Sequence, residues 1–265
     1  MPLIPVSPDD LVPLNLLTGS GALAVRVAYA ETGEDDGIAG PFRGLYHPDS
    51  KILWAHRDMA AVLCVAAEIA ARDYGWRLEV LDCFRPVEAQ EQMAAHGYHE
   101  SLVAPPGKGG HPRGMAADVR PVDIATGLYP DMGTPFDYFV ADPSQGNPAA
   151  RAHGDFGGTE RNRLVRENRR KLERAFIAAG EACGRPILPL PSEWWDFRLI
   201  PDYFTRFAPL SEGDIYAFQR MIAPDKAGVA ALLNGSAPAA LQSAIGQVRA
   251  QAALALERAV LPDNP

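Results

Sequence analysis

Residues 58–82, DMAAVLCVAAEIAARDYGWRLEVLD, decide the fold because they place a helical pattern directly before a strand pattern. In the first part, apolar residues recur every three or four positions: Met59, Val62, Leu63, Ala66 and Ile69. This spacing predicts a helix with one buried face over 58–73. In 76–82 apolar and polar residues alternate, which predicts a strand.

The segments that follow continue this alternation of helix and strand. Pro86 predicts the start of a second helix that runs to about residue 97. After a loop rich in proline and glycine, 115–121 predicts a short apolar strand. Helical periodicity over 159–179 and an aromatic, strand-like stretch over 191–200 complete the pattern. We therefore predict an α+β fold with a small sheet flanked by helices.

The two ends of the chain differ from this central part. The chain divides into three predicted parts: an N-terminal arm (1–24), a main domain (25–205) and a helical C-terminal extension (206–265). Ser211 and Asp214 resemble a capping box before a helix over 215–222, and an Ala-rich helix is predicted over 237–261. The apolar face of this last helix suits packing on the main body or on a second subunit, which would make a homodimer.

Composition and charge restrict the class of protein. With 265 residues, 47% hydrophobic and 22% charged, the sequence is typical of a globular protein. The formal net charge of −8 argues against nucleic acid as a partner. No apolar run approaches the ~20 residues of a membrane helix, and residues 1–10 lack the features of a signal peptide, so we expect a cytoplasmic protein with no membrane partner. Cys64, Cys83 and Cys183 are far apart and predict neither a disulfide framework nor a thiolate zinc site.

The sharpest local signal is HPRGMAAD, residues 111–118, in which a histidine leaves a glycine-rich loop and an aspartate lies in the next strand. Pro112 and Gly114 disfavour a helix here, so a turn has to bring His111 and Asp118 together. Zinc accepts both a histidine nitrogen and a carboxylate oxygen. A loop histidine beside a surface aspartate is the alternative that this spacing leaves open.

Two further segments carry candidate catalytic groups. In SEWWDF, residues 192–197, two acids lie within an aromatic run, an environment that raises a carboxyl pKa toward the range of a general base. A half-buried strand with solvated acids is the alternative, although strand alternation would place Glu193 and Asp196 on opposite faces, with at least one facing inward. Arg85 could stabilise negative charge on an attacked carbonyl, or be a surface arginine.

Taken in this order, the three segments resemble the D-alanyl-D-alanine dipeptidases, the VanX-type zinc metallopeptidases related to zinc D,D-carboxypeptidases and to the hedgehog signalling domain. The family pattern Ser-x-His-x-x-Gly-x-Ala-x-Asp is met at four positions: His111, Gly114, Ala116 and Asp118. The stretch 193–195 is similar to the start of the family's Glu-x-Trp-His strand, and 131–137, DMGTPFD, resembles a further family segment. The resemblance extends from about residue 25 to residue 200 and implies a sheet rich in antiparallel pairs.

The resemblance implies a metallopeptidase that hydrolyses a small dipeptide containing D-amino acids, of the D-Ala-D-Ala type, from cell-wall metabolism. His111 and Asp118 would be zinc ligands, and one Zn²⁺ per chain is the implied cofactor. Glu193 would be the general base and Arg85 the group that stabilises the tetrahedral intermediate. Asp137 would bind the ammonium group of the substrate.

The sequence departs from the family at Asp196, which stands where the family has a histidine as its third zinc ligand. An aspartate also ligates zinc, but together with Asp118 it brings two negative charges to the ion, so the bound water should be less acidic. Oxygen-rich ligation also weakens the preference for zinc over Mn²⁺ or Fe²⁺. We therefore predict a site of His111, Asp118 and Asp196 with altered metal selectivity and slower hydrolysis. The competing hypothesis is a catalytically impaired homologue that binds peptidoglycan fragments as a binding or regulatory protein.

Three smaller features bear on this site. Gly109 and Gly110 stand where the family has serine, and they could make room for a larger substrate or offer backbone N–H groups in place of a hydroxyl. The long loop over 142–158 is predicted to cover the site. The remaining histidines are predicted to lie outside it: His47, His56, His96, His99 and His153.

Overall fold

The computed structural model describes residues 2–31, 42–151 and 158–259. Six α-helices occur in these ranges: α1 (Arg57–Tyr74), α2 (Val87–Ala94), α3 (Glu160–Cys183), α4 (Pro201–Phe204), α5 (Lys226–Leu233) and α6 (Ala239–Leu256). Seven strands occur in them: β1 (Leu11–Pro13), β2 (Leu23–Val25), β3 (Trp54–His56), β4 (Trp76–Asp82), β5 (Ala116–Asp123), β6 (Ile187–Pro189) and β7 (Asp196–Leu199). The fold is α+β, as predicted.

Five strands form the main sheet, in the order β2, β4, β5, β7, β6. The β2–β4 pair is parallel, whereas β4–β5, β5–β7 and β6–β7 are antiparallel. A separate antiparallel pair joins β1 to β3. The strands β4, β5 and β7 therefore have a neighbour on both edges, and β5 and β7 contribute side chains to the pocket described below.

Residues 58–82 form the helix and the strand that their pattern predicts. Helix α1 begins after His56, whose side chain accepts a hydrogen bond from the Asp58 N–H, and ends at Gly75 in the left-handed conformation with a φ of 67°. Its buried face packs against β4, α3 and α6. Strand β4 covers the predicted residues 76–82.

The predicted helix over 215–222 is wrong, although its capping box is present. Ser211 and Asp214 cap only a short 3-10 turn, Glu212–Asp214. The Glu212 carboxylate accepts hydrogen bonds from the backbone N–H groups of Met221, Ile222 and Ala223. The chain therefore wraps around this carboxylate instead of continuing as a helix.

Helix α6 packs on the main body of the protein. It contacts α1 and α3, and its buried side chains follow the predicted apolar face: Leu241, Ala244, Ile245, Val248, Ala252 and Ala255. The helix ends at Leu256, short of the predicted end at residue 261, because the chain turns at 257–258; residues 260 and 261 lie outside the described residues. The homodimer and the division into three parts stay predictions. None of the helices in the described ranges combines the length and the apolar character needed to cross a membrane.

Candidate metal centre

A row of acidic side chains crosses three neighbouring strands of the main sheet. Asp82 of β4 is in register with Asp118 of β5, and Asp118 is in register with Asp196 of β7. Cross-strand partners lie on the same face, with Cβ atoms about 4.5–5.5 Å apart. All three side chains are buried. Because like charges this close repel one another, the row needs cations or protons to compensate it.

Strand β4 is irregular where this row begins. The register changes from Val80 opposite Val119 to Asp82 opposite Asp118, so Leu81 is an extra residue in β4. In a regular strand Asp82 would share the face of Val80, two residues earlier. The bulge instead turns Asp82 to the face that carries Asp118.

His111 adds a nitrogen to the same face. It lies in the 3-10 turn His111–Arg113, which ends at Gly114 with a φ of 65°. Nδ1 lies 2.7 Å from the Cys83 carbonyl oxygen, which can only accept, so Nδ1 carries a proton and donates it. Nε2 then faces the acids, 3.5 Å from Asp118 Oδ1 and 3.4 Å from Asp196 Oδ2. A backbone carbonyl holding the outer nitrogen in this way is typical of a metal-ligating histidine.

Asp118 provides the test of whether a metal ion fits. Its Oδ1 is buried and has no hydrogen-bond partner within the described part of the chain. Asp118 belongs to both buried clusters that could hold a metal ion, one with Asp82 and His111 and the other with Glu193 and Asp196. A buried carboxylate oxygen without a partner is costly, and a cation would remove that cost. The residues therefore fit a divalent ion, and their oxygen-rich donor set does not select zinc over Mn²⁺ or Fe²⁺.

Arg85 compensates one end of the row. Its Nε and Nη2 donate to Asp82 Oδ2 at 3.0 and 2.7 Å, and Nη2 lies 3.5 Å from Asp118 Oδ2. The Tyr46 hydroxyl donates to the other oxygen of Asp82 at 2.7 Å. Asp82 thus orients Arg85 toward the pocket. Arg85 is only 7% exposed, so the surface alternative does not hold.

Arg198 compensates the other end. It follows Asp196 by two residues in β7, so the two side chains share a face, and it lies opposite the small residue Ala116. Its Nε donates to Asp196 Oδ1 at 2.9 Å and its Nη2 donates to Asp196 Oδ2. Burial would raise the pKa of Asp196, but Arg198 and His111 hold it well below its usual range. The second carboxylate expected from the sequence is therefore not an uncompensated charge, because Arg198 neutralises it.

Burial and neighbouring charges also set the protonation of the other groups. Burial and Arg85 lower the pKa of His111, but Asp118 and Asp196 outweigh them and raise it to about 10. Burial raises the pKa of Glu193 well above its usual range, and Asp196 and Asp118 add to this. The pKa of Asp137 is raised in the same way by burial and by Asp118. Both carboxyls therefore favour the protonated form far more than an exposed acid does.

Glu193 and Asp137 enter the pocket from two loops. Strand β7 begins only at Asp196, so Glu193 lies in the preceding turn and the predicted strand alternation is wrong: both acids face the pocket. Trp194 Nε1 donates to Thr134 Oγ1 at 2.9 Å, which ties this turn to the segment that carries Asp137. Asp137 has a φ of 59°, and no other non-glycine residue in the described ranges has a positive φ. Such a conformation persists only when the surroundings fix it.

Most of these groups, but not Asp82 or Tyr46, line a cavity of about 170 Å³. The six site residues predicted from the sequence all line it: His111, Asp118, Asp196, Glu193, Arg85 and Asp137. Much of the remaining wall comes from α2 and from 100–109. The described part of the loop predicted to cover the site, 142–151, contributes no lining residue.

Packing explains one of the two glycines before His111. A Cβ on Gly110 would lie 2.9 Å from Ala116 Cβ and 3.0 Å from the Met115 carbonyl oxygen. The close approach of the loop to β5 therefore requires glycine at 110, and the glycine leaves no free space there for a larger substrate. Gly109 has a φ of 78°, a conformation that favours glycine.

The other described histidines lie elsewhere, as predicted. His47, His56, His96 and His99 do not line the cavity. His56 caps α1, the ring of His96 packs edge-on against Phe42, and His99 Nδ1 lies 2.8 Å from Ser101 Oγ. His153 lies outside the described residues.

Sequence reasoning missed Asp82, Arg198 and Tyr46. A signal existed for Arg198, because residues two apart in a strand share a face and its charge is opposite to that of Asp196. A weaker signal existed for Asp82, an acid at the end of an otherwise buried strand. The contact of Tyr46 with Asp82 joins residues 36 positions apart, and no local pattern indicates it.

Compared with known proteins, the sequence matches no family model and no curated protein.

Proposed function

We propose that this chain is a cytoplasmic, metal-dependent peptidase with a D,D-peptidase-type fold, which hydrolyses a small dipeptide containing D-amino acids. The observation that carries the proposal is the meeting of five buried side chains around one cavity: His111, Asp118, Asp196, Glu193 and Arg85. These side chains come from separate strands, turns and loops. The resemblance to VanX-type dipeptidases assigns the residues at these positions to one site, so geometry and resemblance support the same reaction.

The residues of the pocket have separate roles in the proposed hydrolysis. His111, Asp118 and Asp196 would hold the ion, which when bound supplies Lewis acidity toward the scissile carbonyl and toward water. Glu193 takes a proton from the attacking water and returns it to the leaving amine, and a raised pKa suits a carboxyl that performs both steps. Arg85 donates to the developing oxyanion through N–H groups that do not bind Asp82.

Asp137 is the proposed partner of the substrate's ammonium group. A positive charge close to Asp137 favours its ionised form, which burial otherwise disfavours. The two charges would neutralise each other in the cavity. A small cavity with this acid at its wall suits a free dipeptide, whose ammonium group it can bind, better than a residue inside a long chain.

A second candidate function is a binding or regulatory protein for peptidoglycan fragments. One observation favours it: Arg198 engages both oxygens of Asp196, the third proposed ligand. A chain that never binds metal could keep its acid row neutral in this way.

Metal content and turnover test the proposal together. Protein purified without chelator is analysed by mass spectrometry for metal, and hydrolysis of D-Ala-D-Ala is measured with added Zn²⁺, Mn²⁺ or Fe²⁺. We expect near-stoichiometric metal and turnover with at least one ion. The Asp58→Asn variant, altered outside the cavity, should retain both. Metal-free protein that is inert with every ion would contradict the peptidase and favour the binding protein.

A further inference from the structure

Arg198 is anchored to the site through a single partner. In the described part of the chain, every hydrogen bond from its guanidinium goes to Asp196, from Nε to Oδ1 and from Nη2 to Oδ2. The Arg198 side chain is 13% exposed and lines the cavity, whereas that of Asp196 is 2% exposed. The guanidinium is therefore held by hydrogen bonds to this one residue.

The oxygen that Arg198 engages is the one a metal ion would need. Asp196 Oδ2 receives Nη2 of Arg198, and the same Oδ2 lies 3.4 Å from Nε2 of His111. An ion bound at His111 Nε2 would meet Asp196 through this oxygen. A two-point arginine–carboxylate pair occupies one lone-pair direction on each oxygen. Arg198 and the ion would therefore draw on the negative charge of the same atom.

The charges around the site also favour competition between Arg198 and a metal ion. The proposed ligands bring two carboxylates, Asp118 and Asp196, and Arg198 brings a full positive charge within hydrogen-bond distance of one of them. A divalent ion that enters the site is attracted by the carboxylates and repelled by Arg198, in a buried setting where charges are poorly screened. Arg85 adds less to this repulsion because Asp82 holds it in a pair of its own.

We propose that Arg198 sets the metal affinity of this site by competing with the ion for Asp196. The inference rests on the metal site of the proposed function. Arg198 is a positioning residue, because it acts through Asp196. A purely structural role makes the opposite prediction: if Arg198 only held Asp196 in place for the ion, its removal would weaken metal binding.

The test is a titration of Zn²⁺ and of Mn²⁺, by calorimetry and by competition with a chromogenic chelator, on protein stripped of metal. The variants are Arg198→Met and Arg198→Gln, which remove the charge, and Arg198→Lys, which keeps it. We expect both neutral variants to bind the ions at least about tenfold more tightly than the parent chain, and the lysine variant to stay close to the parent. Arg163→Met, which removes a positive charge from the exposed face of α3, is the matched control and should change nothing.

A double-mutant cycle shows whether the effect passes through Asp196. In the Asp196→Asn background, the increase in metal affinity caused by Arg198→Met should be severalfold smaller, because no carboxylate remains at position 196 to be shared. Circular dichroism and thermal melting establish that each variant is folded. If folded Arg198→Met and Arg198→Gln bind the ions equally or more weakly than the parent, the competition is refuted.

The same titration separates this inference from the proposed function. If the parent binds no metal but the neutral Arg198 variants do, competition is supported and the native chain is not a metallopeptidase. If the parent and the neutral variants bind equally well, the inference alone fails. If none of them binds, both fail.

Discussion

Two buried histidines in this molecule have opposite pKa shifts. His111 lies in the site cluster, with Asp118, Asp196 and Arg198, and its neighbouring carboxylates raise its pKa to about 10 against the effect of burial. His56 lies in a second group, the helix-start cluster, with Asp58, Arg185 and Tyr203. There burial dominates and lowers the pKa of His56, although Asp58 opposes it.

The two clusters also differ in how their carboxylates are paired. In the helix-start cluster, His56 Nδ1 accepts the Asp58 N–H at 3.2 Å, while the Asp58 carboxylate accepts the Tyr203 hydroxyl and is ion-paired to Arg185. In the site cluster, Asp118 Oδ1 has no hydrogen-bond partner within the described residues. An acid left without a full set of partners, rather than the presence of a histidine, distinguishes the candidate metal centre.

The largest expected effect of a substitution in the pocket is on catalysis. Glu193→Gln should lower dipeptide hydrolysis by about 10²–10⁴-fold, because an amide cannot take up and return the proton. Metal affinity should stay within about threefold of the parent, since Glu193 is assigned as base and not as ligand. Steady-state kinetics and metal titration measure the two effects. Loss of metal together with activity would show that Glu193 is a ligand instead.

The next largest expected effect is on metal binding, where the site cluster and the helix-start cluster should differ. Asp118→Asn should weaken Zn²⁺ or Mn²⁺ binding by about 100-fold or more, because loss of a mere supporting partner already costs 10–100-fold. The matched change in the helix-start cluster, Asp58→Asn, should leave the affinity unchanged. Both are measured by calorimetric titration of metal-free protein. Equal effects of the two changes would remove the distinction between the clusters.

A glycine connects the two clusters and provides a stability test. A Cβ on Gly114 would lie 2.7 Å from the backbone N of His56, and the residue has a φ of 65°. Gly114→Ala should therefore lower the free energy of unfolding by about 2 kcal/mol. Gly97 has a φ of 78° but no atom within 4 Å of its Cβ position, so Gly97→Ala should cost only about 1 kcal/mol. Urea denaturation compares them, and equal losses would mean that the close approach to His56 is unimportant.

The smallest effect is the pH dependence contributed by His56. Its pKa in the folded protein lies below the value of about 6.5 in the unfolded chain, so between these values the unfolded chain binds more protons. Stability is therefore complete above about pH 6.5 and falls as the pH decreases, by at most about 1.4 kcal/mol per pH unit. His56→Asn keeps a capping side chain but does not titrate, so its urea midpoint should fall less between pH 7 and pH 5. The same decrease in both proteins would assign the pH dependence to other groups.

The parts of the fold that the sequence predicts are those with a local period. Helix α1 and strand β4 follow from the spacing of their apolar residues, and the short motifs around His111 and Glu193 indicate the residues of the pocket. The helix expected over 215–222 fails because the Glu212 carboxylate, outside the pattern, binds the backbone of 221–223. This error arises where a side chain competes with regular secondary structure.

The electrostatic balance of the pocket is harder to predict, because it depends on strand register. The acid row exists only because Asp82, Asp118 and Asp196 come into line across β4, β5 and β7. A single sequence gives no measure of that alignment. The resemblance indicates the ligand position at 196, and it says nothing of Arg198, the residue two places further on that neutralises it.

The extra residue in β4 has a consequence for how this pocket can change. Leu81 shifts the strand by one position, so that Val80 before it lies on the face of Val119 and Asp82 after it lies on the face of Asp118. Deletion of this one apolar residue would alter no charge in the sequence, yet it would turn Asp82 away and leave Arg85 and Tyr46 without their shared partner. The position of the Asp82 carboxylate therefore depends on a neutral leucine. Deletion of Leu81 would disrupt the site as much as the replacement of an acid.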